Sequence, residues 1–242
     1  MNPQDVLKQV AQEVAVCTRC SLQHSRKLAV PGEGPSNAEI MFIGEGPGFY
    51  ENEQGRPFVG ASGKFLDELL AIIQLKRSDV FIGNVIKCRP PGNRDPLPEE
   101  LAACRDYLER QIQAINPKII VTLGRFSMAH FLPNARISDV HGQAKIIKDR
   151  LIVAMYHPAA ALHQQSLRAT IEADFLRLPE IIARHRREGT DSLGQPMPAS
   201  STNHAETVFS QGNLFTDNQS TDNQSPDQQP KTIKEPKQLT LF

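Results

Sequence analysis

The sequence predicts an α/β protein with a mainly parallel sheet covered by helices on both faces, and three observations carry that prediction. Four short apolar runs, residues 39–43, 80–86, 118–123 and 151–155, lack the polar alternation of a half-exposed strand, as strands buried on both faces do. Helix-periodic segments separate them, and strands alternating with helices imply parallel pairing through crossovers. Finally, Glu45, Asn84 and His157 stand just at or after the ends of three of these runs. In open α/β sheets ligands bind outside the carboxyl ends of the strands, so these three residues can meet in one pocket.

The connecting elements follow in order. Residues 3–16 read as a short helix delivering Cys17 and Cys20. Strand 39–43 runs into the glycine-rich loop Gly44-Glu45-Gly46-Pro47-Gly48, and residues 61–75 show helical spacing through Phe65, Leu66, Leu69, Leu70 and Ile73. After strand 80–86, residues 89–98 are too rich in Pro, Gly and Asn to be other than a loop. Pro98 with Glu99 and Glu100 starts a helix, because proline loses nothing in a first turn and acids favour the positive end. That helix carries Leu101, Cys104, Leu108 and Ile112 on one side and stops before Pro117. Strand 118–123 is followed by Gly124 and a helix through Met128; strand 151–155 runs into Tyr156-His157-Pro158, and a helix over 167–187 ends in Arg184, His185, Arg186 and Arg187.

Beyond Thr190 the composition changes. Thr-Asp-Asn-Gln-Ser occurs twice in tandem, at 216–220 and 221–225, within a stretch of Ser, Asn, Gln and Pro. Such a segment cannot offset the entropy of ordering, so the expectation is a folded domain over 1–190 and a disordered tail over 191–242. The zero net charge hides the same division: residues 1–190 contain 24 Lys and Arg against 21 Asp and Glu, and residues 191–242 contain 3 against 6. The body holds 16 Arg to 8 Lys, and guanidinium forks suit phosphate oxygens. No run approaches the roughly 18 apolar residues of a membrane span, and Asp5 and Glu13 interrupt any signal-like start. A cytoplasmic location is expected.

In a reducing compartment, cysteines point to metal before disulfide. The pattern is Cys17-x2-Cys20 and Cys88-x15-Cys104. The two-residue gap lets Cys17 and Cys20 reach one centre, and four thiolates suit tetrahedral zinc or an iron–sulphur cluster equally; unrelated buried thiols are the alternative. A shared centre would be structural and would pin the N-terminal segment to the loop 88–104.

Several motifs together carry a family resemblance. Gly44-Glu45-Gly46-Pro47-Gly48, Gly55-Arg56-Pro57-Phe58-Val59-Gly60, Asn84-Val85-Ile86-Lys87-Cys88-Arg89-Pro90-Pro91-Gly92-Asn93-Arg94 and His157-Pro158-Ala159-Ala160 resemble, in order and spacing, the signature stretches of the family 4 uracil-DNA glycosylases. The resemblance covers about residues 5–185. It implies a three-layer fold around a four-stranded parallel sheet, and hydrolysis of the N-glycosidic bond of deoxyuridine in DNA during base-excision repair. It also implies a structural 4Fe-4S cluster on Cys17, Cys20, Cys88 and Cys104. By motif, Phe58 would stack on the flipped base, Asn84 would read uracil, His157 would belong to the second catalytic motif, and Glu45 would position or activate water. Glu51 would be a second acid lining the pocket, and Gly46 and Gly48 would approach the substrate. Gly46 falls where classical uracil-DNA glycosylases of other families have a catalytic aspartate.

The chemistry of these residues agrees with those roles. A base in a duplex must be flipped out before it can be cut from its sugar. An Asn84 carboxamide offers an acceptor to uracil N3–H and a donor to O4, whereas cytosine presents the opposite polarity. Cleavage places negative charge on uracil and positive charge on the sugar, so a donor at O2 and a nearby anion are useful. Residues 158–162 could enter the duplex as a wedge, and Lys87, Arg89, Arg94, Arg125, His163 and Arg168 are candidates for phosphate contacts. Competing readings are a glycosylase for another deaminated base and a non-catalytic protein that binds single strands. The final residues, Gln238-Leu239-Thr240-Leu241-Phe242, resemble the short peptide with which bacterial replication and repair proteins dock onto the DNA sliding clamp; Gln211-Gly212-Asn213-Leu214-Phe215 is a poorer echo.

Overall fold

In the computed structural model, residues 1–188 are described; the expected tail, its tandem pentapeptide and its terminal peptide lie outside the described residues. Apolar, β-branched runs form the strands β1 Ile40–Gly44, β2 Phe81–Asn84, β3 Ile119–Leu123, β4 Gln143–Ile147 and β5 Arg150–Met155, in the spatial order β2-β1-β3-β5-β4. The first four positions of that order pair in parallel, which are the four strands expected from the sequence. Every residue of β1, β2 and β3 is buried, and this is why those runs carry no polar alternation.

The fifth strand was not expected. β4 runs antiparallel to β5 at the edge of the sheet, with partly exposed residues throughout. The hairpin turns through Lys148 and Asp149, at φ 49° and 61°. Two consecutive left-handed residues match the right-handed twist of a tight hairpin, but Lys-Asp is a weak sequence signal for it. The sheet is therefore mixed.

Among the described residues, eight α-helices surround it: α1 Pro3–Ala15, α2 Phe49–Gln54, α3 Ala61–Ile72, α4 Pro98–Ile115, α5 Arg125–Phe131, α6 Ile137–Val140, α7 Pro158–His163 and α8 Leu167–Glu188. Alternate strand side chains serve two cores. Phe42, Ile82, Val121 and Val153 face Leu66 and Leu69 of α3 and Phe175 and Leu178 of α8, while Met41, Ile43, Ile120 and Ile152 face Leu108 and Ile112 of α4. The start of α4 is fixed as its sequence requires, with Pro98 in the first turn and the Glu100 carboxylate accepting the Leu97 N–H at 2.8 Å. Val10 and Val14 of α1 pack on Tyr107 of α4. Among the described residues, no helix is long and apolar enough to cross a membrane.

The cysteines correct the sequence reading. Cys88 and Cys104 are buried with Leu22 and Ile86, and Cys20 packs beside them, whereas Cys17 lies against the cluster of Val10, Val14 and Tyr107. All four are free, and among the described residues no group of His, Cys, Asp or Glu stands where it could hold a metal ion. The expected 4Fe-4S cluster, and with it the iron–sulphur and metal-binding assignment of Cys17, Cys20, Cys88 and Cys104, is withdrawn. The reason lies in where the thiols pack: Cys20, Cys88 and Cys104 belong to one cluster and Cys17 to another, and burial raises the Cys88 and Cys104 thiols above their ordinary range. Cys88 and Cys104 pack within their cluster, while Cys88 Sγ accepts from Arg26 Nη1 at 3.4 Å and Cys17 Sγ from the Arg19 N–H at 3.5 Å.

Candidate active site

Parallel register brings the predicted residues to one edge. Gly44 pairs with Asn84 and Leu123 with Met155, so the loop after β1, the end of β2, Gly124 and His157 lie in a row. The chain leaves β1 for β2 on one side and later returns to β3 on the other, and such a reversal opens a crevice at the strand ends. A cavity of about 480 Å³ sits there, and Glu45, Gly46, Gly48, Glu51, Phe58, Asn84 and His157 all line it.

Phe58 and Asn84 form the floor. Phe58 is buried and stacks on His157 with ring centroids 5.5 Å apart. Its backbone is left-handed, φ 52°, and is held by Arg77, which donates to the Phe58 carbonyl at 3.0 Å and to that of Pro57 at 2.6 Å. Gly63 makes room, since a Cβ there would lie 1.9 Å from the Phe58 oxygen. Gly44 does the same for both floor residues: its Cβ would meet Asn84 Oδ1 at 2.5 Å and the Phe58 ring at 2.6 Å. Asn84 is 1% exposed, and its Oδ1 has no hydrogen-bond partner among the described residues. A buried acceptor left unmatched is costly, and here it opens on a cavity.

His157 caps α7, and its Nδ1 accepts the Ala159 N–H at 3.1 Å. In a neutral ring the other nitrogen then carries the proton, so Nε2 is a donor. Burial holds the imidazole down to about 4, with Glu51 pulling weakly the other way. The ring is thus a neutral donor at neutral pH. Gly124, at φ 91°, allows its approach, for a Cβ would come 3.1 Å from that of His157.

The two acids differ. Glu51 is committed to backbone: Oε1 accepts from Val59 and Gly60 N–H at 2.9 Å each, and Oε2 from Gly48 N–H at 3.1 Å. It ties the glycine loop to the Phe58 segment. Glu45 is half-buried, and burial, aided by Asp95, raises its carboxyl above the usual range while Arg125 lowers it. Gly46 cannot carry a side chain without displacing Ile86, whose Cγ1 would lie 2.6 Å from the new Cβ.

The basic candidates scatter. Lys87 is buried, donating to the Asn84 carbonyl at 2.9 Å and to Gln111 at 2.7 Å, and cannot reach a phosphate. Arg94 pairs with Glu100, Arg125 with Asp95, and Arg168 with Glu68 and Glu172; His163 lines the cavity. Sequence reading missed Ser62 and Asp95, which also line it, and no local pattern marks either one. It also missed the space-making roles of Gly63 and Gly124, which only backbone contacts reveal.

Comparison with known proteins agrees with this geometry. Residues 31–177 match the model of the uracil DNA glycosylase superfamily. A type-4 uracil-DNA glycosylase of Sulfurisphaera tokodaii is 45% identical over 197 residues, 77% of this chain and 90% of that protein. One from Archaeoglobus fulgidus is 46% identical over 188 residues, 74% of this chain and 94% of the relative. One from Thermotoga maritima is 40% identical over 166 residues, covering 67% and 86%. The chain belongs to the uracil-DNA glycosylase superfamily and, within it, to the type-4 uracil-DNA glycosylases.

Proposed function

We propose that this cavity receives uracil flipped out of DNA and that the chain hydrolyses the N-glycosidic bond of deoxyuridine, releasing uracil and leaving an abasic site for base-excision repair. The observation that carries the pocket assignment is the buried, unpartnered Oδ1 of Asn84. Uracil N3–H satisfies it, and the amide nitrogen donates to O4; cytosine offers an acceptor at N3 and leaves the orphan in place. Phe58 supplies the ring on which the base stacks. As the bond between N1 and C1′ breaks, its electron pair passes to uracil and spreads to O2, where the His157 Nε2–H donates. Glu45 as the carboxylate stabilises the positive sugar and holds the water that attacks C1′, accepting its proton, and the departed uracil anion takes up a proton on release. Leu162 of α7 is 51% exposed, and this exposure supports its entering the duplex as the wedge. Single-turnover uracil release by Asn84→Asp tests this reading. We expect a fall of at least about 100-fold with the fold intact; a rate near wild type removes Asn84 as the reader.

The chain is further proposed to work as a cytoplasmic monomer and to dock onto the bacterial sliding clamp through Gln238-Leu239-Thr240-Leu241-Phe242. Leu239, Leu241 and Phe242 would fill an apolar groove while Gln238 makes the polar contact. The 47 residues between the folded body and this peptide, taken as a random coil, would span roughly 40 Å, enough to work on DNA beside the ring. A labelled peptide covering 231–242 is expected to bind the clamp of the same organism, and Leu241→Ala with Phe242→Ala to abolish binding. No binding by peptide or full chain at high micromolar concentration rejects the docking.

A further inference from the structure

Phe49 and Tyr50 open α2 and take no part in the chemistry above. They are 52% and 57% exposed, and their rings meet edge to face with centroids 5.4 Å apart. Their position is set by their neighbours. Gly48 before them and Glu51 after them both line the cavity. The Arg89 guanidinium lies over one face of the Phe49 ring, 5.4 Å from its centre, and donates through Nε to Asn93 at 2.7 Å, and Asn93 also lines the cavity. Tyr50 rests on Gly60, where a Cβ would stand 3.3 Å from its ring, so one side is supported. Arg89 makes no ion pair with a carboxylate among the described residues, unlike Arg94, Arg125 and Arg168.

We infer that Phe49 and Tyr50 form a stacking platform for a nucleobase adjacent to the flipped uracil on the same DNA strand, with Arg89 beside it to meet the intervening phosphate. Flipping a base unstacks its neighbours, and a neighbour's exposed π face is recovered against an aromatic side chain whatever the base identity. The platform is continuous with the cavity mouth, and the cation next to it carries no competing carboxylate; both features fit a nucleotide. The inference rests on the cavity taking uracil. It implies tolerance of flanking sequence and a larger contribution on single strands, where neighbouring bases leave the stack freely.

The test uses the full chain with Phe49→Ala and Tyr50→Ala combined, in single-turnover uracil release from a single-stranded oligonucleotide over a range of enzyme concentrations. The half-saturating concentration is expected to rise about 10-fold, the size of losing one stacked base, with a much smaller change in the limiting rate. Replacing one flanking nucleotide by a stable abasic analogue should weaken wild type similarly and add nothing further in the double variant. The exchanged pair, Phe49→Tyr with Tyr50→Phe, should keep wild-type saturation, and thermal midpoints should show that both variants fold. Unchanged saturation in the alanine double variant, or an abasic penalty that persists in it undiminished, overturns the platform. Asn84→Asp reads the limiting rate and not saturation, so a failure of the pocket assignment is distinguishable from a failure of the platform.

Discussion

Replacing His157 with alanine probes the charge state on which the proposed chemistry depends. The ring accepts from Ala159 through Nδ1 at 3.1 Å, which leaves one proton, on Nε2, for the substrate. Removing a single preorganised donor of this kind costs roughly 2.7–4 kcal/mol, about 100- to 1,000-fold in single-turnover rate. The same residue makes a stability prediction with a definite sign. Its folded value of about 4 lies below the ordinary 6.5, so between those values the unfolded chain binds the proton and the folded chain does not. Wild-type stability contributed by this group is therefore present above pH 6.5 and lost as pH falls towards 4. The full difference corresponds to about 3 kcal/mol. His157→Ala lacks this dependence, so its stability relative to wild type should improve by up to that amount between pH 7 and pH 4. Urea denaturation of both proteins at the two pH values, with oligonucleotide cleavage at pH 7, provides the measurement. A wild-type His157 resonance titrating near 6.5, or a variant rate within threefold of wild type, would refute the reasoning.

Other substitutions test the support beneath the site. Gly44→Ala places a methyl within 2.5 Å of Asn84 Oδ1 and 2.6 Å of the Phe58 ring; uracil release should fall at least about 10-fold while the thermal midpoint drops modestly, and normal activity would mean that neither side chain needs its present position. Lys87→Met leaves the Gln111 oxygen and the Asn84 carbonyl without a buried donor, a loss worth about 1–3 kcal/mol of stability. Urea denaturation measures the loss, and a midpoint equal to that of wild type would argue against the pairing.

Much of this arrangement was legible in the chain. The four parallel strands lie within a few residues of the predicted runs, because strands buried on both faces leave an unbroken apolar signature. Glu45, Asn84 and His157 could be picked out because they sit near the carboxyl ends of those strands, whereas Phe58 came only from the resemblance of its motif to the family's. The short helices α2 and α7 were not predicted, since six residues are too few to establish a helical period. Strand β4 was also hidden: its residues are partly exposed, and its pairing depends on β5 lying beside it.

What the sequence determined by itself was the local layer: which runs are strands, which loops carry polar residues, and that the motifs belong with the uracil-DNA glycosylases. The tertiary structure decided what those residues can do. Only packing leaves Asn84 Oδ1 buried without a partner, and only the cap of α7 assigns the proton of His157 to Nε2. Lys87 read as a phosphate contact, yet it is buried on Gln111; Glu51 lines the cavity as read, but packing commits its carboxylate to three backbone N–H groups. The cysteine spacing suggested a shared centre, but whether thiols act as ligands depends on their mutual placement and on their burial. Each of these outcomes depends on contacts between residues far apart in the chain, and on the desolvation those contacts impose, neither of which is carried by spacing.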